Sequence, residues 1–105
     1  MTKLLNRITE KQFLSQVDYL AKNTGWLTYH TWNSQHSAGG FPDLCMVRGN
    51  RLIFTELKSE VGKVTPEQIN WLCKLGQTIK PEVYLWRPSD WDRIVEKLKE
   101  DSNES

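Results

Sequence analysis

The chain has 105 residues, 14 of them Lys or Arg against 13 Asp or Glu, for a formal charge of +1. That length suits one ordinary domain with a real core, and so small a net charge excludes steering of a polyanion by overall charge alone. No apolar run approaches the roughly 18 residues needed to span a bilayer, and no signal-peptide segment opens the chain, so a cytoplasmic protein without membrane attachment is expected.

The first helix signal is Thr9, Glu10, Lys11, Gln12, a capping box, after which Phe13, Val17, Leu20 and Ala21 recur at helical spacing and Gly25 follows as C′ residue. Trp26 to Trp32, rich in aromatic and β-branched residues, predicts a strand, and Asn33 to Pro42 a polar, glycine-bearing loop. Two short strands flank Gly49 and Asn50. A second capping box, Thr65, Pro66, Glu67, Gln68, opens a helix that Ile69, Leu72 and Cys73 continue to Gly76. Val83 to Trp86 predicts a fourth strand. Ser89 to Asp92 carries a third helix-start signature, with Ile94, Val95 and Leu98 on one face beyond it. The order is αβββαβα, expected as one domain over residues 1–100 with a disordered tail over 101–105. Cys45 and Cys73 have no C-x-x-C or Cys/His pairing and read as reduced core residues.

The chemistry starts from the turn at Gly49 and Asn50, which suits a two-residue hairpin. If Arg48 faces Arg51, then Val47 faces Leu52, Met46 faces Ile53, Cys45 faces Phe54, Leu44 faces Thr55, and Asp43 faces Glu56. Side chains alternate with period two, so Lys58 joins Asp43 and Glu56 on one face. Leu44, Met46, Ile53 and Leu57 make the other face apolar too, so both faces of the hairpin are expected to be covered. Directly opposed like charges destabilise a strand pair, and something must compensate. One answer is Lys58 as an ion-pair partner. The other is a divalent cation, because Mg²⁺ commonly takes one or two carboxylates and leaves its remaining positions to water and phosphate oxygens. Asp43 and Glu56 would be ligands, with the backbone carbonyl of Leu57 as a further one. Lys58 would then stabilise negative charge developing at a phosphate, which is hydrolytic phosphodiester chemistry.

Glu10 lies three, four and seven residues before Phe13, Leu14 and Val17, near the inward side of the first helix. It reads either as a helix N-terminal carboxylate favoured by the macrodipole or as a further acidic group near the metal. Arg48 and Arg51, at the hairpin tip, are expected in solvent. Trp71, Trp86 and Trp91 read as core residues before interface residues.

Pro42 and Asp43, followed after twelve residues by Glu56, Leu57 and Lys58, resemble the PD-(D/E)XK nuclease signature. Gly40 to Leu44, then Glu56 to Lys58, then Gly62, Lys63, Thr65 to Gln68, Trp71 and Leu72 resemble the VRR-NUC family. Gly25, Trp26, Tyr29 and His30 on one side, and Trp86, Arg87, Pro88 and Trp91 on the other, extend the likeness over nearly the whole chain. The resemblance implies an α/β fold with a restriction-endonuclease-like αβββαβ core, a mixed four-stranded sheet flanked by helices, and here an added C-terminal helix. It implies Mg²⁺- or Mn²⁺-dependent endonuclease activity on DNA. Carried over by position, Asp43 and Glu56 are metal ligands, Lys58 is the catalytic lysine, Glu10 is the helix carboxylate near the metal and Gln68 lies close to the active site. Gln68 is equally explained as the N3 member of its capping box. Freestanding members resemble phage-derived homodimeric resolvases acting on branched DNA such as four-way junctions, and two symmetric sites suit a two-fold substrate. Phosphate contacts are expected from Lys63 and from Ser34, Gln35, His36 and Ser37, which suit backbone binding by shape without base readout. His30 and His36 read as structural residues or phosphate contacts rather than general bases. A binding module that keeps this fold without cutting is the competing function.

Overall fold

In the computed structural model, residues 2–31, 39–78 and 80–101 are described. The elements are α1 (Thr2–Asn6), α2 (Glu10–Asn23), β1 (Leu27–His30), β2 (Leu44–Arg48), β3 (Arg51–Leu57), α3 (Pro66–Gly76), β4 (Glu82–Trp86) and α4 (Trp91–Lys99), with a short 3₁₀ turn at Pro88–Asp90 before α4. Both expected capping boxes form. Thr9 caps α2 through the Gln12 amide, and Thr65 caps α3 through the Gln68 amide, each glutamine side chain returning to the cap residue's N–H. The short α1 has no counterpart in the sequence reading. At the last helix the expected Ser89 cap does not form: the Ser89 N–H goes to Glu60 Oε1 at 3.1 Å, and Asp90 Oδ2 instead accepts the Arg87 N–H at 2.9 Å.

Among the described residues the sheet has the order β1-β2-β3-β4, antiparallel except for the parallel β3–β4 pair. The hairpin register is the one the turn dictates, from Arg48 opposite Arg51 to Leu44 opposite Thr55. Gly49 alone of the two turn residues has a positive φ, 61°, which suits the first central position of a primed turn. Leu44, Met46, Ile53, Thr55 and Leu57 are buried on one face, where Phe13, Val17 and Ala21 of α2 and Ile94 and Leu98 of α4 close the core. Trp26 and Trp86 complete it, and the Trp26 indole donates to the Leu98 carbonyl at 2.9 Å.

The opposite face is covered only in part, which corrects the expectation of a fully enclosed hairpin. Over it, Phe41 packs edge-on against Phe54 and against Trp71 of α3, while Val47 and the β1 side chains Leu27 and Tyr29 stay exposed. No residue of α3 is fully buried. Cys73, on α3, is accordingly exposed rather than a core residue, and Cys45 is half-buried; neither is in a disulfide. Trp86 is core, Trp91 packs partly buried against it, and Trp71 donates to the Gly39 carbonyl at 3.2 Å. Gly40 has φ +90°, and a Cβ there would sit 2.7 Å from the Glu67 backbone. Only glycine lets this segment lie on the start of α3, and that contact sets the chain's path into Asp43.

The two tip arginines are not in solvent. Arg51 is buried, donating to both carboxylate oxygens of Glu82 at 2.7 Å and to the Lys97 and Glu100 carbonyls at 2.9 Å. Arg48 donates to the Thr24 carbonyl at 2.7 Å, to that of Leu98 at 2.6 Å and to that of Glu100. Both guanidinium groups lie over the Trp26 ring, at 4.8 and 4.9 Å from its centre. The orphan carbonyls at two helix ends disperse the like charges that strand pairing brings together.

Candidate functional site

The site forms where the hairpin strands run out, at the end away from the turn. β2 begins at Leu44 opposite Thr55, so Asp43 stands just before the paired residues. Leu57 lies beyond the last β2 partner on that side, and its N–H is taken by Asp43 Oδ2 at 2.9 Å. The Leu57 amide thus holds one member of the acidic pair. On the other side of β3, the Lys58 N–H continues the parallel pairing by donating to the Trp86 carbonyl at 3.0 Å. Alternation from Phe54 then puts Glu56 and Lys58 on the face away from the main core.

Glu56 is only 2 % exposed, and its Oε1 has no hydrogen-bond partner among the described residues. Burial first, then the charge and hydrogen bond of Asp43, push its carboxyl up to about 8; Lys58 works against this and Glu10 adds to it. Lys58 is 7 % exposed, with Nζ 3.8 Å from Glu10 Oε2. Three acidic groups and one ammonium therefore meet around the end of β3, drawn from α2, the segment before β2, and β3 itself.

Two of the acidic groups, Glu10 and Asp43, line a cleft of about 410 Å³ together with Lys11, Leu14, His30, Thr31 and Leu57. Lys11 and Thr31 were not singled out from the sequence. Lys11 follows Glu10 in the first turn of α2, and Thr31 extends β1, its N–H donating to the Asp43 carbonyl at 3.2 Å, a pairing that local sequence does not spell out. Lys63 is exposed in the loop after Lys58. Gln68 is used by its helix, its Oε1 accepting the Thr65 N–H at 2.9 Å. Ser34, Gln35, His36 and Ser37 lie outside the described residues.

The donors available are oxygens. No group of three or more His, Cys, Asp or Glu poised to hold an ion is found among the described residues, so a cage made wholly of protein side chains is not formed by them. Two carboxylates, one carrying an unmatched buried oxygen, fit a hard cation such as Mg²⁺, which draws most of its other ligands from water and substrate. A buried polar group without a partner costs about 1–3 kcal/mol. The acidic pair is thus held at a cost that a cation would relieve.

No helix among the described residues is long and apolar enough to cross a membrane. No curated protein matches this chain. The VRR-NUC domain model matches residues 10–85, from the first residue of α2 into β4, and so takes in Glu10, Asp43, Glu56 and Lys58 together. The mixed sheet flanked by helices is the architecture of that group, whose members typically use divalent metals. The chain belongs to the VRR-NUC family, nuclease domains of the restriction-endonuclease-like superfamily.

Proposed function

We propose that this domain is a Mg²⁺- or Mn²⁺-dependent DNA endonuclease that hydrolyses phosphodiester bonds in branched DNA such as four-way junctions. Asp43 and Glu56 hold the cation, and Lys58 faces the scissile phosphate. The observation that carries the reading is Glu56, a carboxylate almost wholly out of solvent, beside a second carboxylate, with one oxygen unmatched. An architectural acid would be paired. A carboxyl shifted this far by burial and a like charge, beside a carboxylate that lines a cleft, marks a candidate working group.

The chain's residues divide the work. The Leu57 N–H fixes Asp43 in one orientation, so that carboxylate need not reorganise when it is used. When bound, the cation supplies Lewis acidity toward a phosphodiester oxygen. Lys58 adds a fixed positive charge where negative charge grows on the phosphate, and Glu10 steadies the ammonium. Lys11 at the cleft and the exposed Lys63 offer phosphate contacts that carry no base readout, which supports selection by DNA shape. A homodimer would present two such sites to a substrate with two-fold symmetry.

Incubation of the protein with junction, flap, duplex and single-stranded DNA, in Mg²⁺, Mn²⁺ or EDTA, tests this beside Asp43→Ala and Lys58→Ala. Branched DNA is expected to be cut with either metal and not in EDTA, and both folded variants to lose cutting. Undiminished cutting in EDTA, or by either variant, would overturn the assignment. Equal cutting of all four DNAs would overturn the preference for branches alone. Sedimentation equilibrium reads the dimer.

A further inference from the structure

The loop after Lys58 is held by the segment after β4. It folds back on itself, with the Gly62 N–H donated to the Ser59 carbonyl at 3.2 Å. The half-buried Arg87 points Nη1 at three of its carbonyls, those of Ser59 at 2.7 Å, Gly62 at 2.8 Å and Glu60 at 3.2 Å. Two further bonds come from the same segment: the Trp86 carbonyl takes the Lys58 N–H, and the Ser89 N–H goes to Glu60 Oε1. One short stretch of chain therefore grips both Lys58 and the loop leaving it.

That loop also forms a wall of the candidate site. A Cβ built on Gly62 would lie 3.1 Å from Glu10 Oε2 and 3.5 Å from Lys58 Cδ. The absence of a side chain at 62 lets the loop close directly on the Lys58 stem and the carboxylate paired with its ammonium. A shift of the loop by a fraction of an ångström would move both.

We propose that Arg87 is a positioning residue for phosphodiester hydrolysis. By gathering three loop carbonyls it fixes the wall against which Lys58 and Glu10 lie, and so sets the direction of the Lys58 ammonium. This rests on the reading of Lys58 given above. Arg87 acts through Lys58 and does not itself touch the phosphate. Lysine would keep the charge but carries it on a flexible stem in place of the rigid guanidinium plane that aims Nη1, and a misplaced catalytic group can cost about 100-fold in rate.

The test compares wild type, Arg87→Ala, Arg87→Lys and Gly62→Ala in the full chain. It measures kcat and KM on the DNA that is cut, the thermal midpoint, and amide hydrogen exchange at Gly62 in protein without metal. For Arg87→Ala, faster Gly62 exchange is expected, with kcat down about 100-fold and KM within about twofold. Arg87→Lys should fall between, and Gly62→Ala should lose kcat with Arg87 intact. A raised KM with unchanged kcat would make Arg87 a DNA contact and overturn the proposal, as would wild-type exchange at Gly62. If Arg87→Ala does not fold, the other two variants decide by the same criteria. A wild type that does not cut would overturn the reading of Lys58, while Gly62 exchange would still report whether Arg87 holds the loop.

Discussion

The β2–β3 hairpin carries opposed like charges at both ends, and the two ends treat them in opposite ways. At the tip, Arg51 meets both oxygens of Glu82, and Arg48 and Arg51 share helix-end carbonyls and the Trp26 ring. The Arg51 hydrogen bonds hold the Glu82 carboxyl below its ordinary range even though burial opposes them. At the other end, burial and Asp43 drive the Glu56 carboxyl in the reverse direction. One glutamate has every partner it needs, and the other lacks one. The satisfied cluster is architecture that holds α2, α4 and the sheet together. The unsatisfied one is where a ligand has something to gain.

Breaking each end should therefore produce opposite results. The largest effect is expected at the acidic end: Lys58→Ala should lower kcat for DNA cleavage by about 10²–10³-fold, the usual cost of losing one preorganised electrostatic stabiliser. Its urea midpoint should stay near that of wild type. A variant that cuts at full rate would end the comparison. At the tip, Arg51→Ala should lose about 2–3 kcal/mol in urea unfolding, because Glu82 is left partly buried without its cation. Cutting per folded molecule should be unchanged. Full stability in Arg51→Ala would show that the tip cluster holds nothing together.

The acidic end was legible in sequence because its geometry is local. Twelve intervening residues, two of them the turn, fix the approach of Asp43 to Glu56, and period-two alternation adds Lys58. Both helix starts with capping boxes were legible for the same reason. The tip was misread because the same local rule, which correctly opposes Arg48 to Arg51, says nothing of what lies beyond the hairpin. Glu82, Trp26 and the carbonyls of Leu98 and Glu100 arrive from distant parts of the chain. Arg87 is visible in sequence only as part of the family likeness, and its contacts are not, since its carbonyl partners lie 25 to 28 residues earlier. Ser89 failed as a cap because the chain first makes a 3₁₀ turn over Pro88–Asp90, so that α4 starts at Trp91 with Asp90 as its N-cap residue. The start of β1 at Leu27 rather than Trp26 follows from the tryptophan's turn into the core to reach Leu98.

The smallest expected effect isolates Glu56 itself. Its folded carboxyl titrates near 8, above the ordinary 4.5, so between these values the folded state keeps a proton that the unfolded chain has released. Stability owed to this group is full below about 4.5 and is lost as pH rises through about 8 in protein without metal. Glu56→Gln cannot lose that proton, so its advantage over wild type should grow across the window and be greatest at its alkaline end. Urea unfolding of both proteins at several pH values, with EDTA, measures the gap, and other titrating groups cancel in the difference. A gap that stays constant with pH would mean that the carboxyl is not held protonated. Adding Mg²⁺ at the alkaline end should then stabilise wild type and leave Glu56→Gln where it was, because a cation that binds only the folded, deprotonated pair draws the equilibrium toward it. Equal stabilisation of the two proteins would place the cation elsewhere and leave the unmatched oxygen of Glu56 without a purpose.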